Sequence, residues 1–571
     1  MEVVGKTIRR VFSRLRVLFR GSDMTQKYEH DELPLRSELF SVDQMEQHGG
    51  SLAGVHRLQE GRSGNRLLRR LSENESLLLE VHALLAEDVS LDRRITPAGE
   101  WLLDNFYLME EQIRTARRHL PKGYGRELPR LANGPSAGLP RVYDIALETI
   151  SHGDGRVDPE NLCRFVTAYQ SVTPLKLGEL WAIPIMLRLA LIENLRRVSV
   201  RIATARAGRN SADDWADRMT EMAAKDPKSL ILVIADMARS NPPMESSFVA
   251  ELTRRLQGQG PSLALPLTWI EQRLAETGRT IEQRVRSENQ RQAADQLSMS
   301  NSIGSLRFLG ATDWREFVET MSVVEKTLGE DPCGAYKGMD FATRDRYRHV
   351  VEKIAKRASC SEGEAARAAI GLAYRGAELK NDDRAAHVGF YLIGGGSASL
   401  ERMLRGRLSI IGLLRKVCRS SPLSLYCGSI LLMTLVLAGG FAVKAHADGL
   451  GGAALVLFGL LSLFCAAHLA VALTNLPVTL LAPPRPLPRM DFSKGIPPGF
   501  RTLVVVPTML TGTQNIEDLI EAMEVRFLAN RDDSLHFALL TDFRDAAEET
   551  LPEDEPLLQL VRRRIEELNG K

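Results

Sequence analysis

An excess of charge of either sign is missing from this sequence: 74 Lys and Arg face 72 Asp and Glu over 571 residues, a formal net charge of +2. Near balance of this kind removes the electrostatic signature of a nucleic-acid binder. Cysteine is scarce too, and Cys163, Cys333, Cys360, Cys418, Cys427 and Cys465 form no CxxC pair. That argues against a disulfide framework and against a zinc site, and leaves them as small buried or membrane-facing apolar residues. No HExxH occurs, and His152 and His387 stand without a paired acidic ligand, so no histidine is assigned to metal. The run Gly394, Gly395, Gly396 has no strand before it and no GKS or GKT after it, which makes it a flexible joint rather than a phosphate loop. The N-terminus lacks an apolar run ending in a small-residue cleavage site, so no signal peptide is expected.

What the sequence does contain is two long uncharged segments, Leu423 to Val443 and Leu450 to Leu473, separated only by Lys444, Ala445, His446, Ala447, Asp448 and Gly449. About 20 apolar residues in a helix cross a hydrocarbon core of roughly 30 Å. The pair reads as a membrane hairpin with both outer ends on one side. Arg402, Arg405, Arg407, Arg415, Lys416 and Arg419 precede it and Arg485, Arg489 and Lys494 follow, against one lysine in the break. The positive-inside bias then puts both ends in the cytoplasm.

From about Leu35 to Leu400 apolar residues recur at three- and four-residue spacing, as in Leu67, Leu68, Leu71, Leu78, Val81 and Leu85, and strand-type alternation is scarce. This predicts a helical cytoplasmic region, with Thr96 capping the helix that starts at Pro97 and Asp313 capping Trp314 to Met321. Asp340, Asp345, His349 and Glu352 are spaced to share a helix face, and the dense charge alternation around them makes that face ion-paired and solvated rather than catalytic. Ahead of this region, residues 1 to 20 interleave basic and apolar side chains, which suits either an amphipathic surface helix or a disordered leader.

After the hairpin, Pro477, Pro483, Pro484, Pro486, Pro488, Pro497 and Pro498 predict a stiff extended connector. It leads into Leu503 to Val506, a short apolar strand ending at Pro507 and Thr508, then a helix from Ile516 to Asn530. A second strand from Leu535 to Leu540 ends in Thr541-Asp542-Phe543, and Leu557 to Leu568 is again helical. This β-α-β-α order opens a parallel α/β sheet, in which ligands bind beyond the carboxyl ends of the strands.

The stretches TrpLeuLeuAspAsnPheTyrLeuMetGluGluGlnIleArgThrAlaArgArgHisLeuPro (101 to 121), GluLeuTrpAlaIlePro (179 to 184), MetAspPheAlaThrArgAspArgTyrArgHis (339 to 349), ProArgMetAspPheSerLysGlyIlePro (488 to 497) and PheAlaLeuLeuThrAspPhe (537 to 543) resemble the N-terminal portion of bacterial cyclic β-1,2-glucan synthases, over nearly the whole chain from Leu33 onward. The resemblance implies a mainly α chain: a leader (1–34), a large helical cytoplasmic region (35–400), a basic juxtamembrane segment (401–422), two transmembrane helices (423–443 and 450–473), a proline-rich surface connector (474–500) and the truncated start of a GT-A-like α/β glycosyltransferase domain (501–571). It implies polymerisation of glucose from UDP-glucose at the bacterial inner membrane, export to the periplasm, and a divalent metal, Mg or Mn, for the complete enzyme. No cofactor is expected within this chain. Partners would be the lipid bilayer and either downstream transferase and carbohydrate-processing domains or a split-gene partner, with no nucleic acid.

Carried onto this sequence, Pro507 and Thr508 match the start of the nucleotide-sugar pocket, and Asp542 matches the early carboxylate set against the uridine. A carboxylate at a strand end accepts hydrogen bonds from uracil or ribose. The Asp-x-Asp metal motif, the Thr-Glu-Asp base and the Gln-x-x-Arg-Trp acceptor motif are absent from these 571 residues, so glucosyl transfer by this chain alone is not expected. The other reading is a non-enzymatic, membrane-anchored helical interaction protein with a vestigial transferase segment.

Overall fold

The computed structural model describes residues 34–59, 66–120, 128–379, 383–404, 421–481 and 486–570. The basic leader up to Leu33, most of the basic juxtamembrane segment and residues 482–485 of the connector lie outside them. The chain divides into two compact units, residues 1–326 and 327–571.

The first unit is helical, as the periodicity requires, and is organised on one helix of 49 residues, Leu177–Lys225. Its first half is apolar on nearly every side, and Leu180, Met186, Leu187, Leu191 and Leu195 are fully enclosed. A helix hydrophobic all round must be surrounded. Around it pack Arg66–Ser90, Phe106–His119, Arg141–His152 and Ile281–Ala311, which contribute Leu78, Met109, Ile150 and Ile303 to a single core. Its second half carries a separate core of Ala212, Ala216 and Met219 with Leu230, Phe248, Leu252 and Ile270. Thr96 and Asp313 are the expected caps: the Gly99 N–H donates to Thr96 Oγ1 at 3.4 Å and the Arg315 N–H to Asp313 Oδ1 at 3.0 Å. One small antiparallel ladder, β1 (Leu58–Gln59) with β2 (Arg130–Leu131), interrupts the helical pattern.

In the second unit Asp340 caps the helix Phe341–Ala358, accepting the Thr343 N–H at 2.8 Å. Asp345, His349 and Glu352 then run along one face as an ion-paired ladder, as the charge alternation predicts; Asp340 serves as the cap instead, and Lys356 extends the ladder. The three glycines at 394–396 are not a loose joint. A Cβ on Gly396 would stand 2.6 Å from Phe390 Cδ1 and 2.7 Å from Tyr391 Cδ1, and the Gly396 N–H donates to the Phe390 carbonyl at 3.0 Å. Glycine is required there by close packing, not by motion.

Two antiparallel helices follow, Pro422–Ala447 and Gly452–Leu481, both long and apolar enough to cross a membrane. Small residues line the seam where they meet: Thr434, Ala438, Ser462, Ala466 and Ala470 are buried, and small side chains let two backbones approach closely. The large ones, Leu432, Val436, Leu457 and Phe464 among them, are exposed. Tyr426 donates across the pair to Asn475 Oδ1 at 2.7 Å. The second helix continues through Pro477 to Leu481, past residue 474, where the connector was expected to begin. Proline removes one donor and crowds the carbonyl four residues earlier, yet the helix runs on to Leu481.

Past the hairpin the connector returns to the segment that precedes the helix Phe341–Ala358. Met490 lies opposite Met339 in an antiparallel bridge, with the Asp340 N–H donating to the Arg489 carbonyl at 3.0 Å and the Asp491 N–H to the Gly338 carbonyl at 2.8 Å. The final elements are β3 (Thr502–Leu510), the helix Thr513–Ala529, β4 (Leu535–Phe543) and the helix Asp554–Asn569, with β3 and β4 parallel.

Candidate functional site

The expected β-α-β-α order is present, but β3 runs to Leu510, two residues beyond the expected end at Pro507-Thr508. Pro507 and Thr508 therefore lie inside the strand, opposite Leu540 and Thr541, while Asp542 lies opposite Met509 near the carboxyl end of β4. Side chains alternate between faces along a strand. Val504, Val506, Thr508 and Leu510 face the two helices, where Leu510 joins Ile516, Ile520 and Val561 in a small core. Leu503, Val505, Pro507 and Met509 face the other way, as do Leu540 and Asp542. The three residues carried over by resemblance are thus split: Pro507 and Asp542 share the open face, and Thr508 is turned toward the helices.

Pro507 tolerates its place because the Thr502 N–H donates to the Ser534 carbonyl at 2.8 Å. Alternate residues then point their N–H groups at β4, and the position of Pro507 points at the opposite edge, where a missing donor breaks no β3–β4 bond. Asp542 is exposed, and its Oδ1 accepts the N–H of Phe543 at 2.9 Å. The rest of the carboxylate is available to a ligand. Leu503 and Leu540 on this face are 59% and 63% exposed, although parallel sheets are ordinarily covered on both faces. A lone carboxylate is not a donor set for Mg²⁺ or Ca²⁺, which take six or more oxygens.

The histidines that look solitary along the sequence are partnered in space. His387 Nδ1 lies 2.7 Å from Asp331 Oδ2, and Tyr347 Oη is 3.5 Å from its Nε2. His152 shares the helix Arg141–His152 with Glu148, one turn earlier, and the helix Val42–Val55 adds His48. His48 Nε2 is 2.8 Å and His152 Nε2 is 3.3 Å from Glu148 Oε2. The i, i+4 spacing of Glu148 and His152 was visible in the sequence; the approach of His48 from about a hundred residues away was not.

Fold and site together define a membrane-associated protein in which an apolar helical hairpin precedes the opening strands of a parallel α/β domain. Over 543 residues, 94% of this chain, it is 33% identical to the cyclic beta-(1,2)-glucan synthase NdvB of Rhizobium meliloti (strain 1021). The chain spans 19% of that protein's length and corresponds to an N-terminal portion of it. No protein-family model matches the chain.

Proposed function

We propose that this chain is the membrane-anchoring and substrate-entry portion of a cyclic β-1,2-glucan synthase that polymerises glucose from UDP-glucose. The observation that carries the reading is the similarity to the N-terminal portion of such a synthase across 94% of the chain, joined to a carboxylate on the open face at the end of β4. In this reading both helices of the hairpin span the bacterial inner membrane, with the helical units and the sheet on the cytoplasmic side, where UDP-glucose is found. Asp542 accepts hydrogen bonds from the uracil or ribose, and Pro507 forms part of the apolar floor beside it. The metal on the diphosphate, the base and the acceptor site come from residues beyond these. Helices of a completed α/β domain, packed on this face of the sheet, would cover Leu503, Val505, Met509 and Leu540.

Inner membranes from cells with and without the gene, supplied with radiolabelled UDP-glucose, test the proposal. The expected result is a glucan whose linkage analysis gives 2-substituted glucose and which disappears on deletion. A product that persists after deletion overturns the reading. Tight membrane association with no dependence of any product on UDP-glucose favours a scaffold instead.

A further inference from the structure

The structure assigns a transition-metal site of the zinc class to His48, Glu148 and His152 in the first unit. Their ligand atoms all lie within 4.8 Å of one another. Four ligands around an ion at roughly 2.0–2.1 Å are separated by about 3.3 Å in a tetrahedron; the His152 Nε2 to Glu148 Oε2 distance is 3.3 Å, and His48 Nε2, hydrogen-bonded to the same oxygen at 2.8 Å, would move outward to admit the ion. Two imidazoles and a carboxylate are the donors that zinc takes where a fourth position stays open to water. Imidazole directs the choice toward zinc, copper, nickel or iron rather than magnesium or calcium.

The outer contacts fit the assignment. His152 Nδ1 lies 2.7 Å from the carbonyl of Glu38, an acceptor only, so Nδ1 carries the proton. In the neutral ring Nε2 then offers a lone pair, and it faces another acceptor, Glu148 Oε2. Two acceptors 3.3 Å apart repel unless a shared proton or a metal ion stands between them. The Nδ1–H to carbonyl bond is also the contact that fixes the ring and tautomer of a metal-binding histidine. Phe40 stacks on the His152 ring at 3.7 Å between centroids, and the His48 ring lies parallel to Phe165 at 6.0 Å. Gly49 permits this approach, since a Cβ there would meet the Phe165 carbonyl at 2.6 Å. The side chains of His48, Glu148 and His152 are 25%, 29% and 10% exposed, so the ion has a path in and room for a water. Bound there, it ties the segment around Glu38 and Phe40 and the helix Val42–Val55 to the helix Arg141–His152.

The test uses the full chain without an affinity tag, in detergent, stripped with a chelating resin and titrated with Zn²⁺ by calorimetry, with Co²⁺ as a spectroscopic probe. The expected result is about one Zn²⁺ per chain, the visible bands of tetrahedral Co²⁺, and a higher melting temperature on adding Zn²⁺. His48→Gln, Glu148→Gln and His152→Gln each lose the site, whereas His536→Gln on β4 keeps it. His48 and Glu148 are the more exposed pair, so their variants fold even if His152→Gln does not, and unchanged melting of their metal-free forms verifies that. The proposal is overturned if no zinc binds, if zinc binds equally to the His48→Gln and Glu148→Gln variants, or if Mg²⁺ competes on equal terms.

Discussion

Met339 and Met490 face each other across an antiparallel bridge, each the first residue of a Met-Asp-Phe tripeptide. The pairing is symmetric in its hydrogen bonds: each aspartate N–H donates to the carbonyl of the residue before the opposite methionine. Each aspartate side chain closes its own turn, Asp340 on the Thr343 N–H and Asp491 on the Ser493 N–H. Arg489 adds a bond from its N–H to Thr343 Oγ1 at 3.1 Å. The backbone leaving the membrane helices is thereby fastened to the segment just ahead of the helix Phe341–Ala358. In a chain freed of its native cysteines, Met339→Cys with Met490→Cys is expected to form a disulfide on mild oxidation, because facing residues of an antiparallel pair have Cα atoms about 4.5–5.5 Å apart. Non-reducing electrophoresis reads the looped product. Oxidation no faster than in a Met339→Cys, Lys494→Cys control contradicts the pairing.

The division of the sheet into two faces separates Asp542 from Thr508. In membranes that make glucan, UDP-glucose is expected to slow thiol labelling of an Asp542→Cys variant and to leave labelling of Thr508→Cys unchanged. Asp542→Asn is expected to lower synthesis at least about 10-fold, while stability moves by no more than about 0.5 kcal/mol, as for an exposed side chain. Equal protection at both positions would mean that the nucleotide does not lie on the open face.

Arg141 and Glu179 form a bidentate pair with the side chains 2% and 1% exposed, Nε to Oε1 and Nη2 to Oε2 both at 2.7 Å. Burial works against the charge on Arg141, but the hydrogen bond and charge of Glu179 outweigh it and raise its pKa further. Truncating one partner leaves the other charged and buried, which costs about 3–5 kcal/mol. Glu179→Leu and Arg141→Met are each expected to lower the melting temperature, and the two together to recover much of the loss. Additive losses in the double variant would show that the two side chains do not act as a pair.

His349 has its pKa pushed up to about 9 by its hydrogen bonds to Asp345 and Glu352, and Glu352 is held down at about 2 by His349 and then Lys356. A raised histidine pKa stabilises the fold fully below the ordinary value of 6.5 and loses that contribution as pH rises through about 9. The depressed Glu352 works in the opposite sense: its contribution is present above 4.5 and is lost as pH falls through about 2. His349 is 45% exposed, so solvent screening keeps the effect small. Melting of the chain is expected to fall slightly between pH 7 and 9.5, and His349→Gln to flatten that decline. An identical slope in the variant would remove His349 as its source.

The sequence by itself determined the helical character of residues 35–400, the two apolar spans and the β-α-β-α order, because each is written in the chemistry of residues two to four apart. Thr96, Asp313 and the ion pairing of Asp345, His349 and Glu352 were legible for the same reason. Tertiary structure alone decided what meets across long separations: His48 with Glu148, Met339 with Met490, Arg70 and Asn74 with the buried Glu193. It also decided which residues share a face of the sheet, since β3 had to be extended to Leu510 before Thr508 and Asp542 could be set on opposite sides. Local periodicity says that a residue is buried or exposed; packing at a distance says against whom.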